Sequence, residues 1–205
     1  MYKQLLRNQP FYFLRFLLSL ALITALIASC KKDDADDKDL PAYHISKSET
    51  LTIPAEVELP ANLPSGNARV ATYYAKGVQK YKAQLKAGGG YEWVLVAPHA
   101  DLYNSNNQKV GFHGAGPVWT ITSADSIFAQ HFAPARTATT DANSIPWLLL
   151  MPKTGKTPTG IFADVNYIQR IATTGGKAPA TPPQTATDTK DVSYTAIYRF
   201  SKRII

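Results

Sequence analysis

Val192-Ser-Tyr-Thr-Ala-Ile-Tyr-Arg-Phe-Ser201 is the stretch that decides the fold class. Val192, Tyr194, Ala196, Tyr198 and Phe200 fall on one parity, and Ser193, Thr195, Arg199 and Ser201 on the other. Successive side chains point to opposite faces of a strand, so this period of two describes a strand with one face in a core. The reading extends upstream to Gly160-Ile-Phe-Ala-Asp-Val-Asn-Tyr-Ile-Gln-Arg170. There Ala163, Val165, Tyr167 and Ile171 share one parity, while Asp164, Asn166 and Arg170 share the other. That predicts a half-buried strand over 160–170, a neighbour of 192–200, with the three polar side chains facing one way. Thr173-Thr-Gly-Gly176 should stop it, because paired glycines admit the positive-φ conformations of a tight reversal.

Working outward, 69–85 reads as extended with one wet face, since Tyr81, Ala83 and Leu85 alternate with Lys80, Lys82 and Gln84. Residues 91–97 are continuously apolar after Glu92, which predicts a strand covered on both faces and ended by Pro98. Short strands are expected at 110–113, 118–122 and 126–132, and a core strand at 145–151. Residues 43–53 form a further candidate. Stretches 133–144 and 178–191, rich in Thr, Ala and Pro, read as loops. No window of about eleven or more residues keeps a helical period. The expectation is an all-β domain, an antiparallel sandwich or barrel of short strands.

The first part of the chain reads differently. Lys3, Arg7 and Arg15 precede an apolar run over 16–28, of signal-peptide length and too short to span a membrane comfortably. The run ends Ile27-Ala-Ser-Cys30, which resembles a bacterial lipobox, and Cys30 is the one cysteine in the chain. Residues 1–29 are therefore read as a lipoprotein signal peptide, with Cys30 as the lipidated N-terminus of the mature protein. Lys31-Lys-Asp-Asp-Ala-Asp-Asp-Lys-Asp39 cannot bury apolar surface, so 30–42 is read as a solvated tether and 43–205 as a single β domain. The run of Lys and paired acids resembles the export signal of surface lipoproteins in Bacteroidetes-type bacteria. The expected location is the cell envelope, held in the outer membrane through lipid and facing the surface. With one cysteine no internal disulfide can form, so the core carries stability alone. The formal charge of +7 is spread over singly placed basic residues with no cluster, which excludes a nucleic-acid groove.

Several motifs then occur in order: Leu63-Pro-Ser-Gly66, Tyr74-Ala-Lys-Gly-Val-Gln79, Ala97-Pro-His-Ala-Asp-Leu-Tyr103, Gly116-Pro-Val-Trp119, Ile145-Pro-Trp-Leu-Leu-Leu150, the 160–170 stretch, Thr173-Thr-Gly-Gly-Lys-Ala-Pro179 and Tyr194-Thr-Ala-Ile-Tyr198. Together they resemble the secreted bacterial and fungal family called domain of unknown function 3455, over about residues 59–202. The resemblance implies no established activity and no cofactor. Some members carry a malate dehydrogenase label, but no strand–GxGxxG–helix unit is present, and Gly114-Ala-Gly116 is followed by Pro117. The family pattern also places cysteines near Ala83 and Pro183. Their joint absence here implies that those two segments are neighbours.

His99, Asp101 and His113 have metal-binding chemistry but loose spacing, so no metal site is expected. Trp119 and Trp147 could stack on a sugar, although both lie in apolar strands suited to core packing. Asp164 and Arg170 lie six residues apart and cannot pair along one strand. The candidate ligand-binding set is His113, Trp119, Asp164, Asn166 and Arg170, taking a glycan or small molecule, near the 114–117 turn and 173–176. An envelope binding or structural domain is the favoured class. The alternative is an extracytoplasmic hydrolase-like enzyme using Asp164, His113 and Arg170.

Overall fold

The computed structural model describes residues 51–205. They form a closed antiparallel barrel in which each strand pairs with the next and the eighth returns to the first. The strands are β1 (Asn67–Leu85), β2 (Tyr91–Tyr103), β3 (Lys109–Gly114), β4 (Val118–Thr122), β5 (Asp125–Ala138), β6 (Trp147–Pro152), β7 (Tyr167–Gly175) and β8 (Thr189–Arg203). The seam between β1 and β8 runs from Asn67↔Arg203 to Lys82↔Thr189. Of the two expected architectures, the chain takes the barrel, which leaves no sheet edge along that seam.

Tyr194, Ala196, Tyr198 and Phe200 point inward, as their alternation predicts, and join Ala75, Ala100, Leu102, Trp119, Ile127, Leu148, Leu150 and Ile168 in one core. The outer face of β1 carries Lys76, Lys80 and Lys82. Apolar inside and charged outside is the reverse of a barrel that spans lipid. No helix among the described residues is long and apolar enough to cross a membrane.

The 160–170 stretch departs from its expected form. Gly160–Phe162 is a 3-10 turn, and the strand begins only at Tyr167. The cause is tertiary. Asp125 Oδ1 accepts the Ile161 amide at 2.9 Å while Thr122 Oγ1 donates to Asp125 Oδ2 at 2.5 Å, which pins the turn to the 122–125 corner. These bonds hold the Asp125 carboxyl below its usual range, the Thr122 hydroxyl contributing most. Gly160 sits at φ +59°, and a Cβ there would lie 1.9 Å from Asp125 Oδ1. The turn thereby drives Phe162 into one end of the barrel, where its ring packs 4.7 Å from Phe200 and 6.4 Å from Tyr73. Aromatic rings close that end.

The parity of β7 is also reversed from expectation. Tyr167, Gln169 and Ile171 face outward and Ile168 and Arg170 inward. A strap made of residues 51–59 explains it. Val57 on the strap is fully buried with Trp147, Leu149, Tyr167, Ile171 and Ile197 in a second core on the outside of the barrel. Gln169 Nε2 donates to the Val57 carbonyl at 2.7 Å, and Arg136 donates to the carbonyls of Ala55, Glu56 and Glu58. Both faces of β6 and β7 are thus apolar, so alternation could not say which one turned inward.

Other boundaries shift for local reasons. β2 continues through Pro98 to Tyr103. Residues 133–138, expected as loop, belong to β5, whose register jumps between His131 and Arg136. Thr173-Thr-Gly-Gly176 does not terminate β7 at its start: the strand runs through a bulge, with Ala172 and Gly175 at positive φ, and ends at Gly175. Of the candidate strand at 43–53, residues 43–50 lie outside the described part, and 51–53 are not strand. The stretches read as signal peptide and tether, with Cys30, likewise lie outside the described residues. Ala83 N donates to Asp188 O at 2.9 Å and Trp93 Nε1 to Thr181 O at 2.9 Å. The segments around Ala83 and Pro183 are therefore neighbours.

Candidate functional site

Above the Phe162–Phe200 plug the barrel is not filled. A layer of Trp119, His113 and Tyr198 forms the floor of a cavity of about 480 Å³. That is within the size range of small-molecule sites. Its walls include Leu95, Val96, Pro98, Pro117, Leu148 and Leu150, and its polar groups come from Gln79, His113, Gln130, His131, Thr137, Arg170 and Tyr198. The opening follows from strand lengths. β3 ends at Gly114 and pairs with β2 only from Ala100 onward, so the earlier part of β2 has no neighbour on that side. Leu95 and Val96 are consequently 49% and 55% exposed, not covered on both faces as their apolar run predicts.

His113 faces inward because β3 pairs it with Ala100 and Trp119. Its ring stacks on Trp119 at 4.3 Å and tilts against Tyr198 at 4.9 Å. Nδ1 donates to the Val118 carbonyl at 2.9 Å, which fixes the tautomer and leaves Nε2 as an acceptor. Burial pushes its pKa down to about 3, with the Arg170 charge acting in the same direction and the Val118 bond opposing. The imidazole is neutral at any ordinary pH.

Arg170 enters from β7. Its Nε and Nη2 both donate to the Pro146 carbonyl, at 3.1 and 2.8 Å. The motif 173–176 holds that carbonyl in place. Thr173 Oγ1 donates to Ile145 O at 2.5 Å, Gly175 N to Ser144 Oγ at 2.9 Å, and Ile145 N to Gly175 O at 2.9 Å. Gly176, at φ +78°, passes so close to β8 that a Cβ would sit 2.8 Å from that of Tyr194. Its carbonyl accepts the Tyr81 hydroxyl at 2.7 Å. Arg170 is the one side chain lining the cavity that carries a full charge, and among the described residues no carboxylate pairs with it.

The Tyr198 hydroxyl faces both the Tyr194 hydroxyl and the Arg170 guanidinium without a well-formed hydrogen bond to either. Tyr194 OH and Gln79 Nε2 are also buried without partners. Burial raises the pKa of both tyrosines. Such orphaned groups are uncommon in folded proteins and mark a place where another molecule can bind.

The five candidate residues divide into two places. His113, Trp119 and Arg170 meet at the cavity. Asp164 and Asn166 do not join them, because the Gly160–Phe162 turn carries them to the plugged end. There Asp164 is exposed, 3.5 Å from Lys202 Nζ, and Asn166 Oδ1 accepts the Arg203 amide at 2.8 Å. The shared face of Asp164, Asn166 and Arg170 is thus corrected, and His113 has no carboxylate partner. The His99–Asp101–His113 grouping is also split. His99 packs outside against Phe112 at 4.9 Å, and Asp101 pairs with Lys109 at 2.8 Å. Among the described residues no group of His, Cys, Asp or Glu is placed to hold a metal ion. Trp119 and Trp147 are 1% and 6% exposed, so neither offers a stacking platform to a sugar from solvent.

Gln79, Tyr194 and Tyr198 were not among the sequence candidates. Tyr194 and Tyr198 were legible only as inward-facing aromatics. Gln79 carried one signal, a polar side chain on the parity of Ala75, Tyr81 and Ala83.

Fold and site together define a closed antiparallel barrel with an internal cavity, apolar in its walls and polar at its floor. The chain belongs to the family described as protein of unknown function DUF3455, which matches residues 64–202. No curated protein and no solved structure matches it.

Proposed function

We propose that this protein is an envelope-anchored binding protein whose barrel takes a small, largely apolar molecule into its open half. The observation that carries this reading is the unfilled cavity with four buried, unpartnered polar side chains at or beside it, Gln79, Trp119, Tyr194 and Tyr198. A barrel built only for scaffolding would fill that volume or satisfy those groups. Cys30 would supply the anchor to the outer membrane, and the acidic tether would hold the barrel off the lipid surface. A glycan is disfavoured by the apolar walls.

The chemistry of the floor supports binding over acid–base turnover. A general base works best with a pKa near the ambient pH, and His113 lies far below it. Burial makes the tyrosines weaker acids, and the Asp164–His113–Arg170 combination is not assembled.

Fluorescence of the neutral apolar probe N-phenyl-1-naphthylamine tests the reading. The purified protein should bind it with a blue-shifted, enhanced signal at one site per chain. Leu148→Trp, which narrows the cavity with an indole, should weaken that signal strongly while leaving the folded spectrum intact. Failure to bind, or equal binding by the narrowed variant, would refute the reading.

A further inference from the structure

Resting on that reading, we infer that the ligand is a monocarboxylate, with its anionic head on Arg170 and its apolar body toward the mouth of the barrel. Arg170 is half-buried against the apolar walls of the cavity, and an arginine so placed is matched best by a carboxylate or a phosphate. Arg170 spends Nε and Nη2 on a single neutral acceptor, the Pro146 carbonyl. The guanidinium otherwise faces the Tyr198 hydroxyl, and among the described residues no carboxylate pairs with it.

What surrounds Arg170 selects for a carboxylate. Tyr198 OH and Gln79 Nε2 line the same cavity, and each can donate a hydrogen bond that no protein atom accepts. Three donor groups converging on one floor, with no acid among the lining residues, suit an acceptor-only head. Phosphate would add a second negative charge that the single guanidinium cannot match. A neutral alcohol or amide would leave the guanidinium unpaired.

The polar floor and apolar walls also set the orientation. Leu148 and Leu150 on β6 and Leu95 and Val96 on the free part of β2 lie along the path from Arg170 to solvent. The volume suits about one to two dozen non-hydrogen atoms, a medium-chain or aryl-substituted acid and not a two-tailed lipid. The anchoring of Arg170 explains the placement of the two motifs around it. Residues 144–145 and 173–175 are bonded to each other immediately before Pro146, whose carbonyl positions the guanidinium.

Displacement of N-phenyl-1-naphthylamine provides the test, with decanoic acid and a phenylalkanoic acid each compared with its own methyl ester. The acids should displace the probe about tenfold or more better than the esters. Arg170→Gln should bring the ratio of acid to ester displacement to about one, whatever its own affinity for the probe. If acid and ester compete equally in the unaltered protein, the carboxylate inference is overturned while the binding reading stands. If the probe does not bind and neither acid raises the melting temperature, both fall. Should Arg170→Gln not fold, the acid-to-ester ratio of the unaltered protein decides alone.

Discussion

Acid should destabilise this barrel through one buried imidazole, and the size of the effect can be worked out. His113 is 2% exposed, and its pKa is pushed down to about 3 in the folded protein, against an unfolded value of about 6.5. The folded state therefore keeps it neutral while the unfolded chain takes up a proton. Stability is fully present above about pH 6.5 and falls as the pH drops toward about 3, at about 1.4 kcal/mol per pH unit. Between about pH 6 and about pH 4 the loss comes to about 2–3 kcal/mol. The depressed carboxyls of Asp125, Asp141 and Asp188 add their own loss as the pH falls through and below about 4. A comparison with His113→Phe separates the two. Phenylalanine keeps the stack on Trp119 but cannot titrate, and it leaves the Val118 carbonyl without its donor at a cost of about 1–3 kcal/mol independent of pH. Urea unfolding followed by Trp fluorescence from about pH 7 to about pH 4 gives both curves. The gap between the two proteins should narrow by about 2–3 kcal/mol over that range, with the variant the more stable at the acid end if the fixed cost is at its low limit. A gap that stays constant would show that the folded imidazole reaches water or protonates freely, and the account of a dry floor would fail.

Gly160→Ala should cost about 2 kcal/mol or more, because φ of +59° and a Cβ 1.9 Å from Asp125 Oδ1 force the turn off its corner. A urea midpoint unchanged from the unaltered protein would refute the pinning of Phe162. Arg136→Ala, which removes three bonds to strap carbonyls, should cost about 1–3 kcal/mol and speed amide exchange in residues 51–59 selectively. Uniform acceleration across the barrel would show that the strap is not a separate unit. Cys30→Ser should move the protein from the membrane fraction to the soluble fraction, and mass spectrometry of the unaltered N-terminal peptide should find lipid; unmodified Cys30 in native protein would remove the anchor from the proposed function.

Alternation and turn chemistry by themselves determined much about this protein. Val192 to Phe200 is apolar on one parity and, Ile197 apart, polar on the other, which is the pattern of a strand, so β8 and its inward Tyr194, Tyr198 and Phe200 were legible residue by residue. The absence of any helical period fixed the all-β class, and eight residues or so between turns left a sandwich or a barrel. The expectation of a leader ending at Cys30 also rests on linear sequence alone, because secretion signals are read that way.

Tertiary structure decided the rest wherever two faces of one strand were both apolar. Tyr167, Gln169 and Ile171 could have pointed either way. The strap of residues 51–59, distant in sequence, covers the outer face and so sends Arg170 inward. Asp164 looked like its companion because strand periodicity was carried back across Gly160, whereas the bond from Ile161 to Asp125 breaks that periodicity with a turn. The cavity itself was not legible at all. It exists because β3 is too short to accompany β2 along its whole length, and because Gln79, His113, Arg170 and Tyr198 come from four different strands. Their meeting depends on register and closure, which are properties of paired strands and are not written in any one of them.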